Sequence, residues 1–183
     1  ETRPVSVSRR EIEAAIKQGV KRVVYSSSAS VYGAAVELPM TEDHPYNNYT
    51  FYGATKIAGE ALFEAFSHRD NLPYVALRFM NVYGSRQDDL GTYVAVVVQL
   101  MDRILRGLPP RIHGSGSQVL DFVHVSDAVS AAVLAMESSV TREAYNVSTG
   151  MGTSIAQLAD AILQAMGSSL APEFIPIQDP TLV

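Results

Sequence analysis

The sequence predicts an α/β protein in which a parallel sheet is followed by a smaller region. Short β-branched and aromatic runs alternate with longer segments of helical periodicity. The first such run stops in a cluster of hydroxyl side chains, at the end of the strand where open parallel sheets bind their ligands. No internal repeat interrupts the alternation, and strands that alternate with helices favour parallel pairing.

The first half of the chain is predicted to hold two helices and two strands. A helix over 9–18 ends at Gly19, because glycine tolerates the left-handed backbone of a helix C-terminus. A strand over 21–27 follows, then a loop over 34–50 that is rich in proline and asparagine. The next elements are a helix over 52–67, with an apolar stripe of Ile57, Ala58, Ala61, Leu62, Ala65 and Phe66, and a strand over 73–79.

The second half is predicted to be mostly helical. Leu100 and Ile104 continue a helical period despite the neighbouring valines. Ser126 is a predicted N-cap, and Thr153 or Ser154 opens the last helix. The predicted elements are a polar loop over 84–92, a helix over 93–106, a break at Pro109–Pro110, a helix over 126–137, a strand over 144–148 and a helix over 153–166.

Composition excludes several classes of protein. The 183 residues suit one domain or parts of two, and 47% of them are hydrophobic. The chain has no cysteine, which excludes disulfides and thiolate metal sites, and no apolar run of the roughly 18 residues that a membrane span requires. The net charge is −5 and the basic residues do not cluster, which disfavours nucleic-acid binding. Because the start does not resemble a signal peptide, we expect a cytoplasmic protein.

Tyr52 and Lys56 are the most informative residues of the chain. They are four residues apart in a predicted helix, so their side chains lie on one face, a turn apart. A cation held beside a phenol favours the phenolate, and such a tyrosine can act as an acid or base near neutral pH. The spacing is common by chance, so its weight depends on the segment upstream.

That upstream segment is a predicted strand that ends in serines. A hydroxyl there could hydrogen-bond the same substrate oxygen that Tyr52 deprotonates. The alternative is that these serines only cap the following turn. We favour capping for Ser26, Ser27 and Ser30, and a functional role for Ser28.

Five motifs in order give the chain a family resemblance. The series resembles the extended short-chain dehydrogenase/reductases that act on nucleotide sugars, the NAD-dependent epimerase/dehydratase family, and is most similar to the UDP-glucose 4-epimerases. The resemblance implies a partial Rossmann-type doubly wound parallel sheet and a smaller C-terminal substrate-binding region. The motifs are Ser26–Gly33, Tyr52–Lys56 with Glu60, Leu77–Gly84, Asp121–Val125 with Asp127, and Tyr145–Gly150.

The resemblance also implies an activity and its catalytic residues. The reaction would be an NAD-dependent epimerisation at C4 of a UDP-sugar, through transient oxidation to a 4-keto sugar. Tyr52 would take the proton of the C4 hydroxyl, Ser28 would bind the same hydroxyl, and Lys56 would bind the nicotinamide ribose. All three would also contact the cofactor, and Met80 would contact the nicotinamide through its backbone.

Further positions match the family's substrate contacts. Asn81 matches an asparagine that contacts the sugar nucleotide, with a turn cap as the alternative. Arg111, Ile112 and His113 match a segment along the nucleotide base, where backbone groups count for more than side chains; exposed loop polarity is the alternative. Val96 falls near another substrate contact. We expect no metal, because Asp121, His124 and Asp127 suit packing and capping better, and we expect His44 and His68 to be solvated.

Two departures from the family pattern bear on the reaction. Many relatives carry arginine where this chain has Leu120, so a diphosphate contact is lost or is replaced, with Arg86 as a candidate. The 4,6-dehydratases place Asp-Glu after the hydroxyl residue, and decarboxylating relatives keep the glutamate. Here Ala29 and Ser30 occupy those positions, which favours epimerisation over elimination.

The resemblance finally predicts the organisation of the chain. Residues 1–83 would be the later part of the NAD-binding domain, and 84–183 mostly the substrate-binding region, with a segment near 120–148 that returns to the sheet. The family's opening glycine-rich turn is absent, so we expect the chain to be part of a longer protein. Relatives pair through the tyrosine helix and the helix before strand 21–27, which predicts a homodimer. A dehydratase or other oxidoreductase of the same superfamily, and a non-catalytic nucleotide-binding fragment or scaffold, remain alternatives.

Overall fold

The computed structural model describes residues 8–88 and 94–176. These residues form two compact units. The first unit comprises 8–82 and 123–150, and the second comprises 83–88, 94–122 and 151–176. The predicted loop over 84–92 and the start of the predicted helix over 93–106 lie partly outside the described residues.

The elements follow one another in the alternating order that the sequence predicts. In chain order they are α1 (Arg9–Lys17), β1 (Val23–Ser28), a 3₁₀ turn (Ala29–Val31), α2 (Phe51–Asp70), β2 (Tyr74–Phe79), β3 (Asn81–Tyr83), α3 (Val96–Leu105), β4 (Arg111–His113), β5 (Val119–Leu120), β6 (Phe122–His124), α4 (Val125–Glu137), β7 (Glu143–Val147), β8 (Thr153–Ser154), α5 (Ile155–Ala165) and β9 (Glu173–Ile175).

A three-stranded parallel sheet organises the first unit. Its strand order is β1-β2-β7, and both pairings are parallel. In register, Ser27 lies opposite Arg78, and Ser28 lies opposite Phe79. The carboxyl ends of β1 and β2 therefore meet at one edge of the sheet, as the sequence predicts for an α/β protein of Rossmann type.

Local signals explain where the helices of the first unit begin and end. Ser8 and Glu11 form a capping box at the start of α1, and Gly19 adopts a φ of 68° just beyond its end. At the start of α2, the Thr50 side chain accepts a hydrogen bond from the Gly53 N–H. Asn71, with a φ of 53°, ends that helix in the left-handed conformation.

Both faces of the sheet are covered. On one face, Ile12 of α1 and Phe63 of α2 join Tyr25 and Tyr74 in a buried cluster. On the other face, Ala135 of α4 packs with a second cluster that comprises Val75, Leu77, Val123 and Val147. The central strand β2 is buried almost throughout, as expected for a parallel strand with helices on both sides.

The second unit has its own core. Leu100 and Ile104 of α3 pack with Ile112 of β4 and with Ala159 of α5. Ser154 caps α5 through a capping box with Gln157. Of the two predicted N-terminal residues, Thr153 and Ser154, the second is therefore the N-cap. Strand β4 pairs in parallel with β9, and β5 pairs in antiparallel with β8.

Three details of the prediction are wrong. The predicted apolar stripe of α2 is wrong in part: Phe66 is buried and Leu62 packs against the core, but Ala58, Ala61 and Ala65 are exposed while Glu60 is buried. The N-cap of α4 is His124 instead of Ser126. The short strands β3, β4, β5, β6, β8 and β9 were not predicted, because runs of two or three residues carry no detectable periodicity.

Within 8–88 and 94–176, no helix is long and apolar enough to cross a membrane.

Candidate active site

Ser28 is the last residue of β1 and the cap of the turn that follows. Its backbone is extended, and its Oγ accepts a hydrogen bond from the Ser30 N–H at 3.2 Å. The capping role expected for Ser26, Ser27 and Ser30 is therefore held by Ser28. Accepting this bond uses an oxygen lone pair and leaves the hydroxyl proton of Ser28 able to donate to a ligand.

The first turn of α2 lies against the residues that follow Ser28. A Cβ at Gly53, next to Tyr52, would overlap the Ser30 carbonyl oxygen. Two turns further, a Cβ at Gly59 would overlap the hydroxyl of Tyr25 on β1. The absence of side chains at both glycines lets α2 approach β1 closely, which brings Tyr52 to the strand end that carries Ser28.

Lys56 links the helix to the strand. Its Nζ donates a hydrogen bond to the Ser26 carbonyl oxygen at 2.8 Å and lies 5.4 Å from the centre of the Tyr52 ring. Burial lowers the pKa of Lys56 from its ordinary value. The ammonium has three N–H donors, of which Ser26 takes one, so it can both face the phenol and bind a hydroxyl of a ligand.

Tyr52 is accessible to a substrate. It is 46% exposed, although it stands beside the half-buried Lys56. The phenol and the ammonium thus lie beside the end of β1 that also carries the Ser28 alcohol, at the carboxyl edge of a parallel sheet where ligands of such sheets bind. This arrangement can move a proton on and off a substrate hydroxyl.

Met80 and Asn81 leave the same edge of the sheet, because they directly follow β2. The N–H of Met80 donates to the Val147 carbonyl oxygen at 3.1 Å, so a ligand contact would use its carbonyl group. Asn81 is exposed at the start of β3. Both positions are compatible with the roles that the resemblance implies.

The other predicted substrate residues belong to the second unit. Ile112 is buried in its core, so only its backbone atoms can reach a ligand, whereas Val96 packs against that core and is half-buried. Arg111 and His113 are exposed. The Nε of Arg111 donates to Glu173 at 2.8 Å, and this bond lowers the pKa of the Glu173 carboxyl.

Leu120, which replaces the family's arginine, and Arg86, the candidate substitute for that arginine, also lie in the second unit. Leu120 packs against its core and offers no polar group. Arg86 is exposed, with a φ of 68°.

Sequence reasoning missed two further features of the first unit. Glu60 and Arg78 form a buried ion pair, with Arg78 Nη2 2.8 Å from Glu60 Oε2. A single charged residue within the otherwise apolar β2 was the available signal, because a charge is buried only with a partner. His44, expected at the surface, is only 3% exposed: its Nε2 accepts the Val36 N–H at 2.9 Å.

Among residues 8–88 and 94–176, no cluster of three or more histidine, aspartate or glutamate side chains could hold a metal ion.

The parallel sheet, with a serine, a tyrosine and a lysine at its carboxyl edge, is Rossmann-type α/β architecture. The chain belongs to the NAD dependent epimerase/dehydratase family, whose model matches residues 3–148. The family resemblance in the sequence is thereby confirmed.

Known proteins similar to this chain include several epimerases. The UDP-glucose 4-epimerase of Mycolicibacterium smegmatis is 39% identical over 91% of this chain and 53% of that protein. The Thermotoga maritima UDP-glucose 4-epimerase, solved with UDP-glucose, superposes with a TM-score of 0.87 at 36% identity, over 93% of this chain and 55% of that one. The UDP-glucose 4-epimerase of Thermus thermophilus, solved with NAD, superposes with a TM-score of 0.80 at 30% identity. The match covers 91% of this chain and 55% of that one.

The matches extend beyond epimerases. A UDP-N-acetyl-alpha-D-glucosaminuronate decarboxylase of Bacillus cytotoxicus is 32% identical over 93% of this chain and 54% of that protein. The chain spans about half the length of the curated relatives it matches.

Proposed function

We propose that the protein is an NAD-dependent nucleotide-sugar 4-epimerase of the UDP-glucose/UDP-galactose type. The observation that carries this proposal is the position of Lys56. It faces the Tyr52 ring and is hydrogen-bonded to the strand that ends at Ser28. A scaffold that only bound a nucleotide would not need this grouping of acid–base side chains.

The residues at the sheet edge fit a nicotinamide cofactor. Lys56 keeps N–H donors for ribose hydroxyls, and Met80 offers its carbonyl group beside β2. Ser28, Tyr52, Lys56 and Met80 would hold the nicotinamide end. When bound, NAD+ accepts a hydride from the sugar C4 and returns it to that carbon.

The side chains of this chain would handle the proton. The Tyr52 phenolate accepts the proton of the C4 hydroxyl as the C4–H bond breaks, which leaves a 4-keto sugar. Lys56 stabilises the phenolate electrostatically. Ser28 donates a hydrogen bond to the same sugar oxygen and shares the charge that develops on it. On return, Tyr52 gives the proton back, and C4 acquires the opposite configuration when the hydride reaches its other face.

The residues after Ser28 favour epimerisation over elimination or decarboxylation. Ala29 has no ionisable group, and Ser30 presents a buried hydroxyl without a hydrogen-bond partner. Neither can protonate a leaving group or remove a carbon-bound proton at neutral pH. We therefore place dehydratase and decarboxylase activities second.

We also propose a division of labour between the two units. The first unit carries the catalytic residues and the nicotinamide contacts. The second would contribute substrate contacts through Val96 and the segment Arg111, Ile112 and His113, while Asn81 would bind the sugar nucleotide from the first unit. Because the Leu120 side chain has no hydrogen-bond donor, other groups would have to bind the diphosphate.

A panel of UDP-sugars tests the proposed function. The natural full-length protein is incubated with NAD+ and each sugar in turn, and the products are identified by NMR. We expect the C4 epimer, with UDP-glucose converted to UDP-galactose. A 4-keto-6-deoxy product, or loss of carbon dioxide from a UDP-uronic acid, would replace this proposal with one of the two alternatives.

We further propose that the protein forms a homodimer through α2. Its exposed alanines Ala58, Ala61 and Ala65 lie on one side of the helix and form a smooth face. Because alanine side chains are short, a second helix can approach this face closely.

The dimer is tested by light scattering on the natural full-length protein. We expect a dimer for the wild type and a monomer for Ala61→Arg, because the arginine would place a charge within the interface. Ala165→Arg, an exposed alanine on α5, is the matched control and should stay dimeric. A wild type that is monomeric at every concentration measured would contradict the proposal.

A further inference from the structure

A buried polar network ties α2 to the sheet. Glu60 follows Lys56 by four residues on α2, and it is 7% exposed. Its Oε1 accepts from Ser27 Oγ at 2.5 Å and from Arg78 Nε at 3.1 Å. Its Oε2 accepts from Arg78 Nη2 at 2.8 Å and from the Tyr46 hydroxyl at 2.6 Å. Both carboxylate oxygens are therefore fully used.

Arg78 is saturated in the same way. A guanidinium has five N–H donors in a fixed planar fork. Besides the two bonds to Glu60, its Nη2 donates to the Tyr46 hydroxyl at 2.8 Å. Its Nη1 donates to the Tyr32 hydroxyl and to the Glu42 carbonyl oxygen, both at 2.9 Å. All five donors have a partner, so the position and orientation of the guanidinium are fixed.

At neutral pH, Glu60 of this network is ionised and Tyr46 is protonated. Burial alone would raise the pKa of Glu60, but the hydrogen bonds from Arg78, Ser27 and Tyr46 hold it below its ordinary value. Burial and the hydrogen bond to Glu60 raise the pKa of Tyr46 to about 12. Tyr46 therefore keeps its proton and donates it to the carboxylate at neutral pH.

The network sets how α2 is placed along β1. Successive residues of the helix face bind successive residues of the strand: Lys56 binds the Ser26 carbonyl and Glu60 binds the Ser27 side chain. Ser28 directly follows Ser27 on β1, and Tyr52 precedes Lys56 by one turn of α2, so each lies next to a residue that these bonds hold. A slip or rotation of the helix would break four hydrogen bonds to Glu60 at once.

We propose that Glu60 and Arg78 are positioning residues, which hold α2 where Tyr52 and Lys56 meet Ser28. The proposal rests on the proposed function, because it assigns these residues to the geometry of that reaction. Arg78 also binds the loop over 34–50 through Tyr46 and the Glu42 carbonyl, so the segment that leads into α2 is held by the same guanidinium.

Steady-state kinetics of the natural full-length enzyme test this role. Glu60→Gln keeps the shape of the side chain but turns an amide N–H toward the donors of Arg78 or Tyr46. Ser27→Ala removes a single hydrogen bond and leaves the ion pair intact. Glu64→Gln is the matched control: it removes the same charge one turn further along α2, where Glu64 binds the Tyr74 hydroxyl and His68. All assays are run well below the thermal midpoint of each variant.

A positioning role affects turnover more than binding. We expect Glu60→Gln to lower kcat by ~100-fold, because a displacement of about 1 Å at the reacting groups costs that much. KM for the UDP-sugar should stay within about threefold, since the substrate contacts remain. Ser27→Ala should show the same split with a smaller loss, and Glu64→Gln should match the wild type.

Two outcomes overturn the inference and can be told apart. If Glu60→Gln and Ser27→Ala lower the thermal midpoint but turn over at the wild-type kcat, the network is structural only and the positioning role is wrong. If Tyr52→Phe is itself as active as the wild type, the proposed function fails, whatever the Glu60 variants do.

Discussion

Replacing Tyr52 with phenylalanine is expected to lower kcat for C4 epimerisation by about three orders of magnitude, within the range that acid–base groups contribute. The change removes one oxygen from a ring that is 46% exposed, so the fold should be unaffected. The other phenol beside Lys56, that of Tyr25, is buried and donates to the Lys56 carbonyl oxygen, so it cannot replace Tyr52 as proton acceptor. The measurement is kcat of the natural full-length protein with the UDP-sugar that the panel identifies.

Tyr49→Phe is the control for this variant. Tyr49 precedes α2 and is 75% exposed, and its hydroxyl makes no hydrogen bond to any residue that the structure describes. Its loss should leave kcat unchanged. Equal activity of the two variants would show that the hydroxyl of Tyr52 has no part in the reaction.

Replacing Arg78 with methionine is expected to cost about 3–5 kcal/mol in the free energy of unfolding, because it leaves the Glu60 carboxylate buried and unpaired. Side chains of the pair are only 6% and 8% exposed. Arg9→Met is the control. It breaks a surface pair with Glu13, in which the arginine is 71% exposed, and such pairs contribute about 0.3–0.5 kcal/mol. Denaturant unfolding monitored by circular dichroism measures both.

A double variant separates the ion pair from the space it fills. If Glu60→Met is added to Arg78→Met, no uncompensated charge remains. The loss should then be smaller than the sum of the two single losses, by about 0.5–3 kcal/mol. Strict additivity would mean that the two side chains do not interact.

The pair also predicts how stability depends on pH. The folded pKa of Glu60 is below its ordinary value of 4.5, so its contribution to stability is present above that value and is lost as the pH falls through the folded pKa. Arg78→Met removes the hydrogen bonds that most strongly lower the pKa of Glu60. Burial, which raises that pKa, should then dominate. The stability lost in Arg78→Met should therefore be largest near neutral pH and shrink as the pH falls, because protonation of Glu60 removes the buried charge.

Much of the first unit could be predicted from local patterns. The β-branched run before the serines gave β1, and the four-residue spacing placed Tyr52 and Lys56 on one helix face. Motif order gave the family, which the comparison with known families confirms. These features depend on residues that are close in sequence, so periodicity and spacing are enough to detect them.

The buried face of α2 could not be predicted in this way. That face carries Gly59, Glu60 and Ser67, whereas the alanines that looked like core are exposed. A glutamate is a core residue only because Arg78, 18 residues away, supplies its partner. His44 was missed for the same reason, since its partner Val36 N–H lies in a loop without periodicity. Such pairings become visible only in three dimensions.

The most direct test follows a deuterium at C4 of UDP-glucose. The natural full-length protein is incubated with UDP-[4-²H]glucose and NAD+, and the product is analysed by NMR and mass spectrometry. If Ser28, Tyr52 and Lys56 promote reversible oxidation at C4, UDP-galactose should form with the deuterium still on C4. Deuterium transferred to C6, or lost to the solvent, would contradict the proposed reaction.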